Sequence, residues 1–247
     1  MELSLVFWLT AIVGVILTGI SKSGFAGGAG VIAVPLLSLI ISPIQAAAIM
    51  LPLLLVMDFF SVKAWWGKQL NDYLKLFIPP ALLGIVVGYF MFDVMDEEVL
   101  KILLGILSLV FAIWGLANGF SKVSFASKLA GRVAGGVAGF TSFVAHAGGP
   151  PLNFYLIPQK LPREQFLATA VIFYAVINVV KLIPYAALGQ LNFDNLLIAL
   201  ILVPVAWIGV KLGLIIQQRL SDDVFYRVIL IMLLVVGAKL VWDGFGL

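Results

Sequence analysis

The 247-residue chain has no cysteine and a single histidine. Disulfides, thiolate chemistry, thiolate-bound metals and multi-histidine metal sites are thereby excluded, and no cofactor is expected. Charge is also scarce: 11% of residues are charged against 63% hydrophobic, and mean hydropathy is +1.16. A soluble fold cannot cover that much apolar surface with so few polar side chains, so the composition is that of an integral membrane protein. There is no G-x-x-x-x-G-K-[ST] phosphate loop, which excludes ATP hydrolysis through one. The 15 basic and 12 acidic residues alternate with apolar segments rather than forming one patch. Their imbalance therefore speaks of membrane orientation, and nucleic acid is not an expected partner. The opening MELSLVFWLTAIVG lacks a basic region and an A-x-A cleavage site, and is expected to be retained.

What the chain does have is long apolar runs, at about 3–41, 44–66, 73–95, 99–117, 129–158, 165–188, 195–216 and 224–242. Six approach the roughly 20 residues a helix needs to cross a bilayer. The first is too long, since as one helix it would extend roughly 58 Å. It is expected to break at Gly24, Gly27, Gly28 and Gly30, in the stretch TGISKSGFAGGAG. The fifth is expected to break at Gly148, Gly149, Pro150 and Pro151, in GFTSFVAHAGGPP, because two prolines supply no N–H and disfavour helix before them.

The chain also resembles itself. Shifted by 121 residues, Gly14 falls on Gly135, Gly27-Gly28 on Gly148-Gly149, and Gln69-Leu70-Asn71 on Gln190-Leu191-Asn192. With a shift of 125, Pro79, Gly84 and Gly88 fall on Pro204, Gly209 and Gly213. Two copies of one unit are expected, at 1–120 and 129–247, joined by a cytoplasmic linker at 121–128. The basic loops around Lys63, Lys68 and Lys75 and around Lys122, Lys128 and Arg132 should face the cytoplasm, and the acidic DVMDEE should face out. If the fifth segment crossed only once, Lys160, Arg163 and Arg219 would lie outside. A segment that enters and returns restores the expected sense. The expected fold class is thus an all-α polytopic membrane protein of two inverted repeats. Each repeat is a broken re-entrant or hairpin helix plus three transmembrane helices, with both termini outside.

Irregular backbone at membrane depth is tolerated only when buried in protein or lining a wet cavity. The two breaks are therefore expected to face each other across a cavity, with half-helices beginning at about Ala29 and Pro151 and pointing positive ends at a small anion. Side chains near the breaks suit that use. Lys22 lies in the first break between Ser21 and Ser23; His146 lies in the second, near Thr141, Ser142 and Asn153. Asp58 and Lys181 are further charges inside apolar spans, with Asn178 opposite Asp58 under the repeat. Asp58 is expected either to pair with Lys181 or to neutralise Lys22, and His146 or Asp58 would carry any coupled proton. Trp65, Trp66, Trp114, Trp207 and Trp242 read as interfacial anchors.

With GISKSGFAGGAG opening one half and GFTSFVAHAGGPPLNFYLIP the other, the chain resembles the TauE/SafE family of sulfite exporter-like permeases over essentially its whole length. The resemblance implies transport of small sulfur-containing anions such as sulfite or organosulfonates, commonly outward and without ATP. It also implies that Lys22, Gly27, Gly28, His146, Gly148, Gly149 and Asn153 are cavity positions. The expected function is a secondary transporter in the cytoplasmic (inner) membrane, not an enzyme, with lipid and a small anion as partners. An anion channel built from the same broken helices is the alternative.

Overall fold

The computed structural model describes residues 4–25, 30–94, 96–118, 127–219 and 221–246. Backbone in lipid must satisfy its own hydrogen bonds, and the described residues accordingly form helices and turns without a strand. The helices are α1 (Leu5–Gly24), α2 (Ala33–Leu37), α3 (Pro43–Trp65), α4 (Asn71–Val94), α5 (Glu97–Asn118), α6 (Lys128–Ala145), α7 (Gly149–Leu156), α8 (Arg163–Ala187), α9 (Phe193–Ile216) and α10 (Asp222–Gly244). Six of these, α1, α3, α4, α5, α8 and α9, are long and apolar enough to span a membrane. At 23 residues α10 also has the length to do so.

Local sequence sets the boundaries. Ser42 caps α3, its hydroxyl accepting the Gln45 N–H at 3.2 Å, with Pro43 in the first turn where its missing N–H costs nothing. The turns that leave α3 and α8 each contain a glycine in the left-handed region, Gly67 (φ +86°) and Gly189 (φ +67°), a conformation that lets a helix stop abruptly. The first return leg is less helical than expected: a 3₁₀ turn at Gly30–Ile32 precedes the five residues of α2. Ser38 ends it by turning its hydroxyl back onto the Val34 carbonyl at 2.8 Å, and Pro43 lies just beyond. Lys128, expected in the linker, is already the first residue of α6, capped by the Ser127 hydroxyl.

Each break folds the chain back on itself. A Cβ on Gly14 would lie 3.5 Å from Ala33, so α2 returns alongside α1; one on Gly131 would lie 3.0 Å from the ring of Tyr155, so α7 returns alongside α6. Both are hairpins. Around them the helices pair reciprocally: α1 packs on α9 while α6 packs on α4, and α3 lies against α8 as α5 does against α10. Small residues allow the close approach. A Cβ on Gly209 would come within 3.2 Å of the Cα of Gly19, and one on Gly84 within 2.7 Å of the Phe140 nitrogen. Gly19 and Phe140 are 121 residues apart, the same interval that relates the two breaks. Aromatic donors repeat the pattern at an interval of 120: the Trp65 indole donates to the Ser23 carbonyl at 3.0 Å, and the Tyr185 hydroxyl to the Phe143 carbonyl at 2.7 Å. Each second helix thus ties down the hairpin of its own half.

Candidate functional site

The hairpins and the paired helices α3 and α8 bring four ionisable side chains into one buried cluster. Lys22, in the last turn of α1, is 4% exposed, and its ammonium forms an ion pair with Asp58 of α3, also 4% exposed. The other Asp58 oxygen accepts from the Asn178 amide of α8 at 2.7 Å, so this carboxylate joins two helices of one half to one of the other. Asp58 takes Lys22 rather than Lys181 for a visible reason. The Lys181 ammonium, one turn beyond Asn178 and wholly buried, already donates to the Ser142 carbonyl at 2.9 Å, the Ser142 hydroxyl at 3.0 Å and His146 Nδ1 at 2.7 Å.

His146 caps α6 in the left-handed region at φ +52°, where a glycine would be the easier occupant. Its ring accounts for the exception. Nε2 lies 2.9 Å from the carbonyl of Ala47 on α3, and Nδ1 faces Lys181, so the imidazole is held from both sides and its backbone follows. A carbonyl can only accept, which assigns the ring proton to Nε2 and leaves Nδ1 as the acceptor for Lys181. The ring stacks at 6.0 Å on Tyr185, the residue that anchors the same break.

Of this cluster Lys22, Ser142, His146 and Asn178 help to wall a cavity of about 20 Å³. Three helices each supply a pair one turn apart: Thr18 and Lys22 from α1, Ser142 and His146 from α6, Tyr174 and Asn178 from α8. Leu54 of α3, one turn before Asp58, and Gly149, the first residue of α7, complete the wall. Leu54 is the central residue of α3 and Tyr174 adjoins the centre of α8, so the cavity sits half-way along both. It has room for about one water and none for an oxyanion of sulfur unless its walls part. Asp58 also backs a wider apolar groove of about 670 Å³ on the outer side of the α3–α8 seam, walled by Leu55, Phe59, Ala175 and Val179. Asn178 lines the inner cavity and Asp58 the groove, and the two are hydrogen-bonded to each other.

Residues 11–240, which include both breaks and every wall of this cavity, match the family model described as Sulfite exporter TauE/SafE. The chain belongs to the TauE/SafE family. It is therefore an integral membrane protein of a sulfite exporter-like transporter family, as its composition and its six span-length helices also require. No curated protein and no solved structure shows significant similarity to it.

In this TauE/SafE chain the remaining candidates take other places. The Ser23 hydroxyl lies 2.9 Å from the carbonyls of Gly19 and Val210, and so faces α9. Gly24 packs against Gly213 of the same helix. Ser21 is buried, its carbonyl accepting the Phe25 N–H at 2.9 Å. Thr141 closes the second break, its hydroxyl 2.9 Å from both the Val137 and Ala147 carbonyls, and Gly148 packs where a Cβ would lie 2.9 Å from the Ala138 carbonyl. Asn153, one turn beyond Gly149 on α7, is wholly buried with both side-chain amide atoms unpartnered. Gly27 and Gly28 lie outside the described residues. The proline pair also thins the expected rank of donors at the α7 N-terminus, because Pro150 and Pro151 carry no N–H and the Leu152 N–H is directed to the Gly148 carbonyl.

Sequence reasoning passed over Thr18, Leu54 and Tyr174. The signal was available: each lies four residues before a residue already singled out, and so on the same helical face. Trp65, at the end of α3, also donates to the first hairpin.

Proposed function

We propose that this TauE/SafE member is a secondary transporter that moves a small sulfur-containing anion, sulfite or an organosulfonate, outward across the cytoplasmic membrane with proton coupling. The observation that carries this reading is the cavity itself: a hairpin from each half contributes to one buried, polar, cation-bearing space at the centre of the paired helices α3 and α8. Ionisable groups at such depth are retained for a pathway or its coupling. The reciprocal pairing of α1 with α9 and of α6 with α4, the left-handed Gly67 and Gly189, and the Trp65 and Tyr185 ties support two inverted copies at 1–120 and 129–247. With the basic loops on the cytoplasmic side, both termini then lie outside.

The transport cycle follows from the small size of the cavity. An anion enters only when the walls separate, and the seam between the halves is where they do so, as in other transporters built from discontinuous helices. A space of only about 20 Å³ favours a carrier, whose site opens when its walls part, over a channel's continuous lumen. Asp58 and His146 are the coupling groups, each bonded to a lysine and each tied across to the other half through Asn178 or Ala47. Lys22, Ser142, His146, Gly149 and Asn178 line the substrate space, and Asn153, unpartnered one turn behind Gly149, receives anion oxygens when it widens.

The reading is tested with purified protein in proteoliposomes loaded with sulfite. Efflux that saturates with sulfite and accelerates with an imposed pH gradient is the expected result. Flux that rises linearly with concentration and follows voltage alone would make the protein a channel.

A further inference from the structure

We infer that the buried site accepts a singly charged oxyanion and discriminates against a doubly charged one of the same shape. The inference rests on the anion-transport reading above and names the substrate class of that site. The ionisable groups facing the cavity and the cluster behind it are Lys22, Asp58, His146, Lys181 and the phenols of Tyr174 and Tyr185. The phenols are neutral near pH 7. Lys22 and Asp58 form an ion pair and cancel. His146 is a neutral imidazole in this arrangement, with Nε2–H directed at a carbonyl and Nδ1 accepting a hydrogen bond from Lys181.

Lys181 remains. Its three N–H groups meet three acceptors at 2.7 to 3.0 Å, a carbonyl, a hydroxyl and an imidazole nitrogen, none of which bears charge. With three acceptors around its nitrogen Lys181 is taken in this inference as an ammonium, so the cluster counts two ammonium groups against one carboxylate and one wholly buried positive charge without a carboxylate partner. A net charge inside low-dielectric surroundings is costly, whichever its sign. A monoanion in the cavity brings the cluster to neutrality, whereas a dianion merely inverts the excess. Lys181 does not line the cavity but holds Ser142 and His146, which do, so its charge acts on the anion through these two side chains. It is a positioning residue.

The test compares two tetrahedral anions matched in shape but not in charge. Methanesulfonate and sulfate are each titrated calorimetrically into the purified full chain in detergent at neutral pH, with circular dichroism checking the fold. Wild type should bind methanesulfonate at least about tenfold more tightly than sulfate. Asp58→Asn, which adds one positive charge to the count, should narrow that ratio by about tenfold. Lys181→Gln should lose methanesulfonate binding, and Lys181→Arg should retain it. Sulfate bound as tightly as methanesulfonate by wild type, or an unchanged ratio in folded Asp58→Asn, overturns charge selection and leaves the transporter reading standing. If Asp58→Asn does not fold, the wild-type ratio decides alone. Folded wild type that binds neither anion overturns both.

Discussion

The two hairpins share a geometry and differ in where the charge sits. In the first half the base is at the hairpin tip, Lys22, and the second helix supplies an acid, Asp58. In the second half the tip carries His146, and the second helix supplies the base, Lys181. On the charge count inferred above, one half is internally neutral and the other is not, although both use the same construction, a tip residue bonded to the next long helix. The interval of 121 residues that relates the two breaks also separates Gly19 from Phe140. The two tips differ in the side chains they carry, yet residues from both hairpins wall the one cavity.

The largest expected effect breaks the neutral half. Lys22→Ala leaves Asp58 buried with Asn178 as its remaining partner, which should cost about 3–5 kcal/mol; replacing both charges, as Lys22→Met with Asp58→Leu, should recover most of that stability while abolishing transport. Denaturation midpoints in detergent measure both. In the charged half Lys181→Met removes three hydrogen bonds from one ammonium but strands no carboxylate, so a loss of about 1.5–3 kcal/mol is expected. If Lys181→Met proved more damaging than Lys22→Ala, the assignment of the neutral and charged halves would be reversed.

Packing offers a comparison free of charge. Gly19→Leu at the α1–α9 crossing and Gly84→Leu at the α4–α6 crossing both force side chains between backbones in contact, and each should cost about 1–3 kcal/mol or more. Similar losses in the two variants sharpen the equivalence of the halves; a large effect at one site only would break it. The smallest effect is expected at the exposed ion pair between Lys68 and Glu164, 3.0 Å apart, where Lys68→Ala should change stability by less than about 1 kcal/mol.

Much of this architecture was legible in the sequence because membrane helices announce themselves by length, and their interruptions by glycine and proline. The breaks, the shared QLN turn and the charges inside apolar runs needed only position. What was hidden depended on how the return legs seat. Nothing in the sequence decides whether Asp58 meets Lys22 or Lys181, since all three lie in apolar segments; the choice follows from Ser142 and His146 occupying Lys181 first. The place of Trp65 at a helix end was visible, but only the folded hairpin shows the carbonyl it meets. The Asn153 amide was visible as a polar residue after the prolines, but not its burial without partners. Gly24 and Gly148 were legible as breaks, but not their close packing against Gly213 and Ala138.

On the proposed function, the two hairpins jointly build one anion site. The most direct measurement is sulfite efflux from proteoliposomes containing wild type, Lys22→Ala or His146→Ala, each verified as folded. Saturable efflux by wild type, lost or strongly weakened in both variants, is the predicted result. Wild-type rates and half-saturation in either variant would contradict it.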